Sequence, residues 1–137
     1  MNLGWVIEHF AHPSQLTEDF RPDAQTAALV MTHNFGRDLL ALVRVLPLQL
    51  RYVGLLGPKK RHAELLGRLS EYRPLDFASE NLFAPAGLDI GSEVPEEIAL
   101  AIVSEVAAVL SNRVGGFLRE RRSDSHTITT TVSGEAA

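Results

Sequence analysis

The sequence predicts an α/β domain with a mostly parallel sheet, and two observations support this prediction. Short, almost continuously apolar runs, which are typical of strands buried on both faces, alternate with longer segments whose apolar residues recur at helical spacing. The order is strand, helix, strand, helix, short strand, helix, which is the pattern of folds with parallel strands and right-handed crossovers. We find no internal repeat.

The first strand and helix are predicted between residues 26 and 47. The apolar run TAALVM, Thr26–Met31, predicts a strand buried on both faces. Asn34 can cap the helix that follows, because its side-chain oxygen can accept from a free backbone N–H of the first turn. Apolar residues then recur from Phe35 to Leu46, and Pro47 ends the helix.

Two further units follow the first. The run LRYVGLL, Leu50–Leu56, predicts the second strand, and Pro58 is suited to the first turn of a helix that continues to about Glu71. Residues 82–84 predict a short third strand. The last helix is predicted from Pro95 to about Ser111.

The two ends of the chain are weakly patterned. Residues 5–7 suggest a short strand and residues 11–24 a loop. We predict one domain over residues 1–118 and a polar, disordered tail over residues 119–137. Residues 127–132 have strand propensity, so the alternative of an added edge strand stays open.

Composition restricts the classes of function. The 137 residues carry a net charge of −4, which gives no general attraction to nucleic acid or to an anionic membrane. Cysteine is absent, so disulfides, thiolate metal sites and a cysteine nucleophile are excluded. No apolar run reaches the length of a membrane span, and the first residues do not resemble a signal peptide. We therefore expect a cytoplasmic protein.

Three loops follow strands or precede helices at one edge of the predicted sheet. They are THNFGRD after the first strand, GPKKR after the second, and APAGLDIGSE before the last helix. Ligands of parallel α/β sheets bind at the carboxyl ends of the strands, where these loops should meet.

The second loop places three cations in the first turn of a helix. Lys59, Lys60 and Arg61 lie where the helix dipole is positive, which costs about 0.3–1 kcal/mol for each cation. An anion held there with Gly57 would relieve this repulsion, because free N–H groups and basic side chains would both bind it. The alternative is a solvated basic turn. The spacing is not that of a Walker motif.

The first and third loops add polar candidates. His33 follows a strand directly and could act as a base, a hydrogen-bond donor or a ligand, or could only fix the loop, and Asp38 lies five residues on. In the third loop, Gly87 and Gly91 permit unusual backbone conformations on either side of Asp89. The remaining histidines, at positions 9, 12, 62 and 126, show no spacing typical of metal ligands.

The last helix begins with acidic residues and carries one more. Glu97 can accept from the N–H of the capping residue Val94. Glu96 and Glu97 occupy the positive end of the helix, so this N-terminus is a poor phosphate site. Glu105 falls on the apolar stripe begun by Ile98. It is either paired across the sheet edge, with Arg37, His33 or Lys59 as candidates, or solvated where the stripe ends.

Taken together, the segments VMTHNFGRDLLAL, RYVGLLGPKKRHAELLGRL and APAGLDIGSEVPEEIALAIVSEV resemble the C-terminal, Rossmann-like domain of the XdhC/CoxI family of xanthine dehydrogenase accessory proteins. The resemblance covers about residues 27–110. It implies a three-layer domain that binds molybdenum cofactor, an anionic pterin phosphate, and delivers it in sulfurated form to a molybdenum hydroxylase of the xanthine or carbon monoxide dehydrogenase type. A cysteine desulfurase is a further implied partner.

The resemblance and the residues together give a set of cofactor contacts and no catalytic residue. The predicted contacts are His33, Asp38, Gly54, Gly57, Lys59, Lys60, Arg61, Gly87, Asp89 and Gly91. The family's first Gly-rich strand and turn have no counterpart in this sequence, so we do not expect NAD, and we expect a free sheet edge that favours a homo-oligomer. The alternatives are a small nucleotide-dependent oxidoreductase and an assembly module without a ligand.

Overall fold

The computed structural model describes residues 21–72 and 79–122. The predicted segments at residues 5–7, 11–20 and 123–137 lie outside this part. The elements are strands β1 (Ala27–Val30), β2 (Tyr52–Leu55) and β3 (Leu82–Phe83), helices α1 (Phe35–Val45), α2 (Lys59–Tyr72) and α3 (Pro95–Leu110), and 3-10 turns at Leu46–Leu48, Ser79–Asn81 and Leu118–Glu120.

The described strands form one parallel sheet in the order β1, β2, β3. Ala27 pairs with Tyr52 at the start of the first ladder, and Val53 pairs with Leu82 in the second. Each strand is followed by a helix, so the α/β class and the parallel sheet predicted from the sequence are confirmed. The three predicted helices are also confirmed, with bounds that differ by one or two residues.

One face of β2 forms the main core. Val53 and Leu55 are fully buried and pack in one cluster with Leu42 of α1 and Leu65 of α2. Helices α1 and α2 also pack against each other. Because alternate residues of a strand point to opposite faces, this cluster defines the first helical layer.

The other face of β2 packs against α3. The Tyr52 ring stacks on Phe83 of β3, with a centroid distance of 4.7 Å and an interplanar angle of 14°. A Cβ at Gly54 would lie 2.8 Å from the Tyr52 ring. Any residue other than glycine at this strand position would therefore force the ring to shift. The Tyr52 hydroxyl reaches Glu105 of α3. The sheet therefore lies between two helical layers, as the resemblance implied.

The prediction that the first strand is buried on both faces is wrong. Only Val30 of β1 is buried, whereas Leu29 is 36% exposed and Ala27 is exposed. In the described residues β1 lies at the edge of the sheet, with β2 as its one neighbour. By contrast, the four residues of β2 are all buried, because β2 lies between the other two strands.

Arg51 fixes the C-terminus of α3 to the start of β2. Its guanidinium donates to the carbonyl oxygens of Val109 at 2.8 Å and Leu110 at 3.1 Å, and also to the side-chain oxygen of Asn112. The last carbonyls of a helix have no intrahelical partner and carry partial negative charge, so a cation there satisfies and stabilises them. None of the helices in the described ranges has both the length and the apolar character that crossing a membrane requires.

We predict that Arg51→Ala lowers the free energy of unfolding by about 2 kcal/mol, because several charge-assisted hydrogen bonds are lost and helix carbonyls are left unpaired. Urea unfolding followed by circular dichroism measures the change. Arg68→Ala is the matched control, since in the described part of the chain Arg68 makes only an exposed pair with Glu71, and its loss should change stability by less than about 0.5 kcal/mol. Equal effects of the two variants would contradict this role for Arg51.

Candidate functional site

The three loops meet at one edge of the sheet. Beyond the strands, the N–H of Leu56 donates to the Val30 carbonyl at 3.0 Å, and the N–H of Ala86 donates to the Leu55 carbonyl at 3.1 Å. The strands are parallel, so this edge carries their carboxyl ends. The prediction that the loops lie side by side is confirmed.

Asp38 links the first loop to the first turn of α2. Its side chain is completely buried and accepts from the Thr32 N–H at 2.9 Å, from the Thr32 hydroxyl at 2.6 Å and from Arg61 at 2.6 Å. A buried carboxylate requires such partners, because burial without them is costly. Asp38 was predicted as a ligand contact, but the structure uses both its oxygens to position Thr32 and Arg61.

The N-terminus of α2 has no side-chain cap. The Pro58 carbonyl accepts from the N–H groups of Arg61 at 3.0 Å and His62 at 3.2 Å, but proline has no side-chain oxygen. Within the described ranges, the N–H groups of Lys59 and Lys60 have no acceptor and their ammonium groups have no ion-pair partner. Both lysines are exposed. This turn therefore presents free donors and two unpaired cations to solvent.

The other two helix N-termini at this edge are less suited to an anion, one because it is capped and the other because it is acidic. The Asn34 side chain accepts from the Arg37 N–H at 2.9 Å at the start of α1. At the start of α3 the Glu97 carboxylate accepts from the Glu93 N–H at 2.9 Å and, less closely, from Val94 at 3.5 Å. Val94 itself offers no side-chain acceptor. The expectation that α3 begins with half of a capping box is confirmed. The N–H groups of Glu96 and Glu97 have no acceptor among the described residues, but the two carboxylates occupy that turn, so α2 is the N-terminus that is both open and basic.

His62 is enclosed directly behind this open turn. It is 3% exposed, and neither ring nitrogen has a hydrogen-bond partner among the described residues. Burial lowers the pKa of His62; the Leu56 carbonyl and Asp38 offset part of the shift, and Arg61 adds to it. The Leu56 backbone acts on the ring as a weak hydrogen-bond partner, at a geometry that falls short of a regular hydrogen bond. The imidazole is therefore kept neutral at neutral pH.

Glu105 holds the third loop against the sheet. One of its oxygens accepts from the Tyr52 hydroxyl at 2.8 Å and from the Gly87 N–H at 2.9 Å. Burial raises the pKa of the Tyr52 hydroxyl well above its usual range, and the bond to Glu105 raises it further. Glu105 is thus paired, as one alternative held, but the predicted cationic partners are wrong. Gly87 has φ of 118° and a Cβ there would lie 3.3 Å from Ala101, which explains its glycine.

The remaining predicted contacts are exposed. His33 adopts a left-handed conformation with φ of 58° in the turn after β1, and Asp89 and Gly91 lie at the surface of the third loop. Their roles in binding stay predictions. In the described ranges, no group of three or more His, Asp or Glu side chains is arranged to hold a metal ion.

Comparison with known proteins agrees with this architecture. The profile of the XdhC Rossmann domain matches residues 2–106. The chain belongs to the XdhC Rossmann-domain family. This membership confirms the resemblance seen in the three loop segments and the Rossmann-like class of the fold.

Individual relatives support the family and span more than this domain. A Bacillus subtilis (strain 168) protein, described as a probable xanthine dehydrogenase subunit, is 35% identical over 96 residues, covering 70% of this chain and 27% of that protein. The uncharacterized protein YqeB of Escherichia coli (strain K12) is 32% identical over 100 residues, covering 73% and 18%. The crystal structure of a xanthine dehydrogenase from Bacillus halodurans is 32% identical with a TM-score of 0.59, covering 84% and 30%. The chain therefore spans less than a third of each relative.

Sequence reasoning missed three residues that shape the site. His62 lacks the spacing of a metal ligand, so no role was predicted for it from the sequence. It precedes Leu65 by three residues and Leu69 by seven, and this spacing places it on the buried stripe of α2. Thr32 and Tyr52 gave no local signal, because their partners come from other elements.

We predict that Asp38→Asn lowers the free energy of unfolding by about 3 kcal/mol, since it leaves the Arg61 guanidinium without its anion and weakens the bonds to Thr32. Urea unfolding measures the change. Asp89→Asn removes an exposed carboxylate and serves as the control, with an expected change below about 0.5 kcal/mol. A loss for Asp38→Asn no larger than that of the control would refute the structural role of the pair.

A second prediction concerns pH. The pKa of His62 is lowered in the folded state, so the unfolded chain binds this proton more readily and acid favours unfolding. The stability that the neutral His62 ring contributes is fully present above about pH 6.5, the pKa in the unfolded chain. It is lost as the pH falls toward the lower pKa of the folded state. In oxyanion-free buffer, His62→Gln should lose less stability than the wild type between about pH 8 and about pH 5.5. Arg68→Ala, which changes an exposed residue of the same helix, should behave like the wild type; identical slopes for all three proteins would exclude His62 as the source.

Proposed function

We propose that this domain binds an anionic cofactor, molybdenum cofactor, at the first turn of α2 and serves the maturation of a xanthine dehydrogenase-type molybdenum hydroxylase. The observation that carries the proposal is the uncapped N-terminus of α2, which combines free N–H groups with the exposed side chains of Lys59 and Lys60. Family membership supplies the biological setting.

The electrostatics of the turn favour a phosphate group. Without a ligand, each lysine is placed against the positive end of the α2 dipole, at a cost of about 0.3–1 kcal/mol. A phosphate would accept from the two free N–H groups and pair with both ammonium groups, so the same residues would then stabilise the complex. Arg61 is held by Asp38 and is 21% exposed, so it contributes a fixed charge behind the turn.

The neighbouring loops fit the remainder of a pterin phosphate. Asp89 is an exposed acceptor of the third loop, suited to the N–H groups of a heterocycle, and His33 is an exposed imidazole of the first loop. The cofactor in this proposal is cargo for a client enzyme. The domain's own residues bind and orient it, and they perform no redox step.

The names of the relatives suggest which enzyme would receive the cofactor. Two of them are named as a xanthine dehydrogenase or as part of one, which favours a molybdenum hydroxylase apoenzyme as the partner. A cysteine desulfurase, which would supply the sulfur of the sulfurated cofactor, is a further candidate, and the setting would be the cytoplasm.

We predict that Lys59→Ala/Lys60→Ala weakens binding of molybdenum cofactor at least about tenfold, because two charge-assisted contacts to phosphate are lost. Purified protein is titrated with released cofactor under anaerobic conditions, and binding is followed by fluorescence of the pterin.

Arg68→Ala is the matched control, because it removes a cation from the same helix at a position remote from the first turn. Its affinity should equal that of the wild type. Unchanged affinity in the double lysine variant would place the cofactor elsewhere, and no binding by the wild type would overturn the proposed function.

A further inference from the structure

Burying the His62 imidazole lowers the stability of the fold if the residue has only a structural role. Its two nitrogens are buried and lack hydrogen-bond partners among the described residues. A buried polar group without a partner costs about 1–3 kcal/mol, whereas the leucines at the related positions 65 and 69 of the same stripe bury no polar atom. An unpaired group of this kind calls for an explanation such as a ligand that completes its bonding.

The imidazole is directed at the open turn of α2. A Cβ built on Gly57 would lie 3.5 Å from His62 Nε2 and 3.5 Å from Arg61 Nη1. Gly57 has φ of 131°, a conformation that side chains rarely adopt, so the natural sequence leaves this point unoccupied by a side chain. A ligand oxygen that approaches the glycine closely comes near both nitrogens at once.

The charges around His62 come from three sources. Arg61 belongs to its own helix, Asp38 faces it from α1, and the two form an ion pair at 2.6 Å whose effects on the imidazole oppose each other. Lys59 and Lys60 precede it in the first turn of α2 and are exposed. Without a ligand, these surroundings and burial favour the neutral ring.

We propose that an oxyanion bound at the first turn of α2 contacts His62, and that its binding is coupled to proton uptake by the His62 imidazole. This inference rests on the proposed function, since it concerns the same site, and it specifies the ligand group as a tetrahedral oxyanion such as a terminal phosphate. A dianion beside the ring favours its charged form. By linkage, the protonated ring must then favour the anion by the same factor.

The coupling predicts tighter anion binding in acid. Sulfate is the suitable probe, because it stays a dianion between about pH 8 and about pH 5.5, where histidine titrates. For a shift of one pKa unit on binding, the affinity of the wild type for sulfate rises up to about tenfold over this range. Isothermal titration calorimetry at several pH values, in non-binding buffers, measures the change.

Variants separate His62 from other titrating groups. His62→Gln should bind sulfate with an affinity that does not vary with pH, while Arg68→Ala, which changes an exposed residue of the same helix remote from the first turn, keeps the slope of the wild type. A pH slope that persists in His62→Gln overturns the inference. Circular dichroism checks that both variants fold.

A measurement on the wild type keeps the inference testable even if His62→Gln is unstable. The NMR resonance of the His62 ring carbon is titrated with and without saturating sulfate, and its midpoint should move to higher pH by about one unit with sulfate. An unmoved midpoint overturns the inference. If sulfate binding depends on Lys59 and Lys60 but not on His62, the anion site stands and the coupling fails; if the wild type does not bind sulfate, both fail.

Discussion

The ion pair between the buried Asp38 and Arg61 fixes the first two loops of the strand-end edge, and with them the turn that is proposed to bind an anion. It joins the first turn of α2 to α1 at 2.6 Å, and the same carboxylate fixes Thr32 in the loop after β1. Because removing one partner would leave a buried charge, the two loops are held in one geometry. The three consecutive cations therefore differ in their surroundings. Arg61 turns inward to Asp38, whereas Lys59 and Lys60 face solvent.

The edge carries three helix N-termini, and their caps and charges together decide which can receive an anion. Helix α1 is capped by Asn34, and α3 begins with Glu96 and Glu97, whose negative charges oppose an incoming anion. Helix α2 begins after Pro58, which caps with its carbonyl alone and leaves two N–H groups free. The third loop, which Glu105 holds in place, lies beside the proposed phosphate site at α2.

Local rules predicted the elements well, because caps and prolines act over a few residues. Asn34 and Pro95 marked helix starts that the structure confirms within a residue. The partners within the site were not predictable, because they join distant parts of the chain: Tyr52 and Glu105 are 53 positions apart and Asp38 and Arg61 are 23 apart. Burial of the first strand was wrong for a similar reason, since a run of apolar residues does not reveal its place at the edge of a sheet.

The first turn of α2 should bind an oxyanion in preference to the other two helix N-termini at this edge. Amide chemical-shift mapping during a titration with inorganic phosphate tests this most directly, because each N-terminus reports separately in one spectrum. We expect the largest saturable shifts at the N–H groups of Gly57, Lys59 and Lys60, with small shifts at the starts of α1 and α3. Largest shifts at Glu96 and Glu97, or no saturable shift at Lys59 and Lys60, would contradict an oxyanion site at α2.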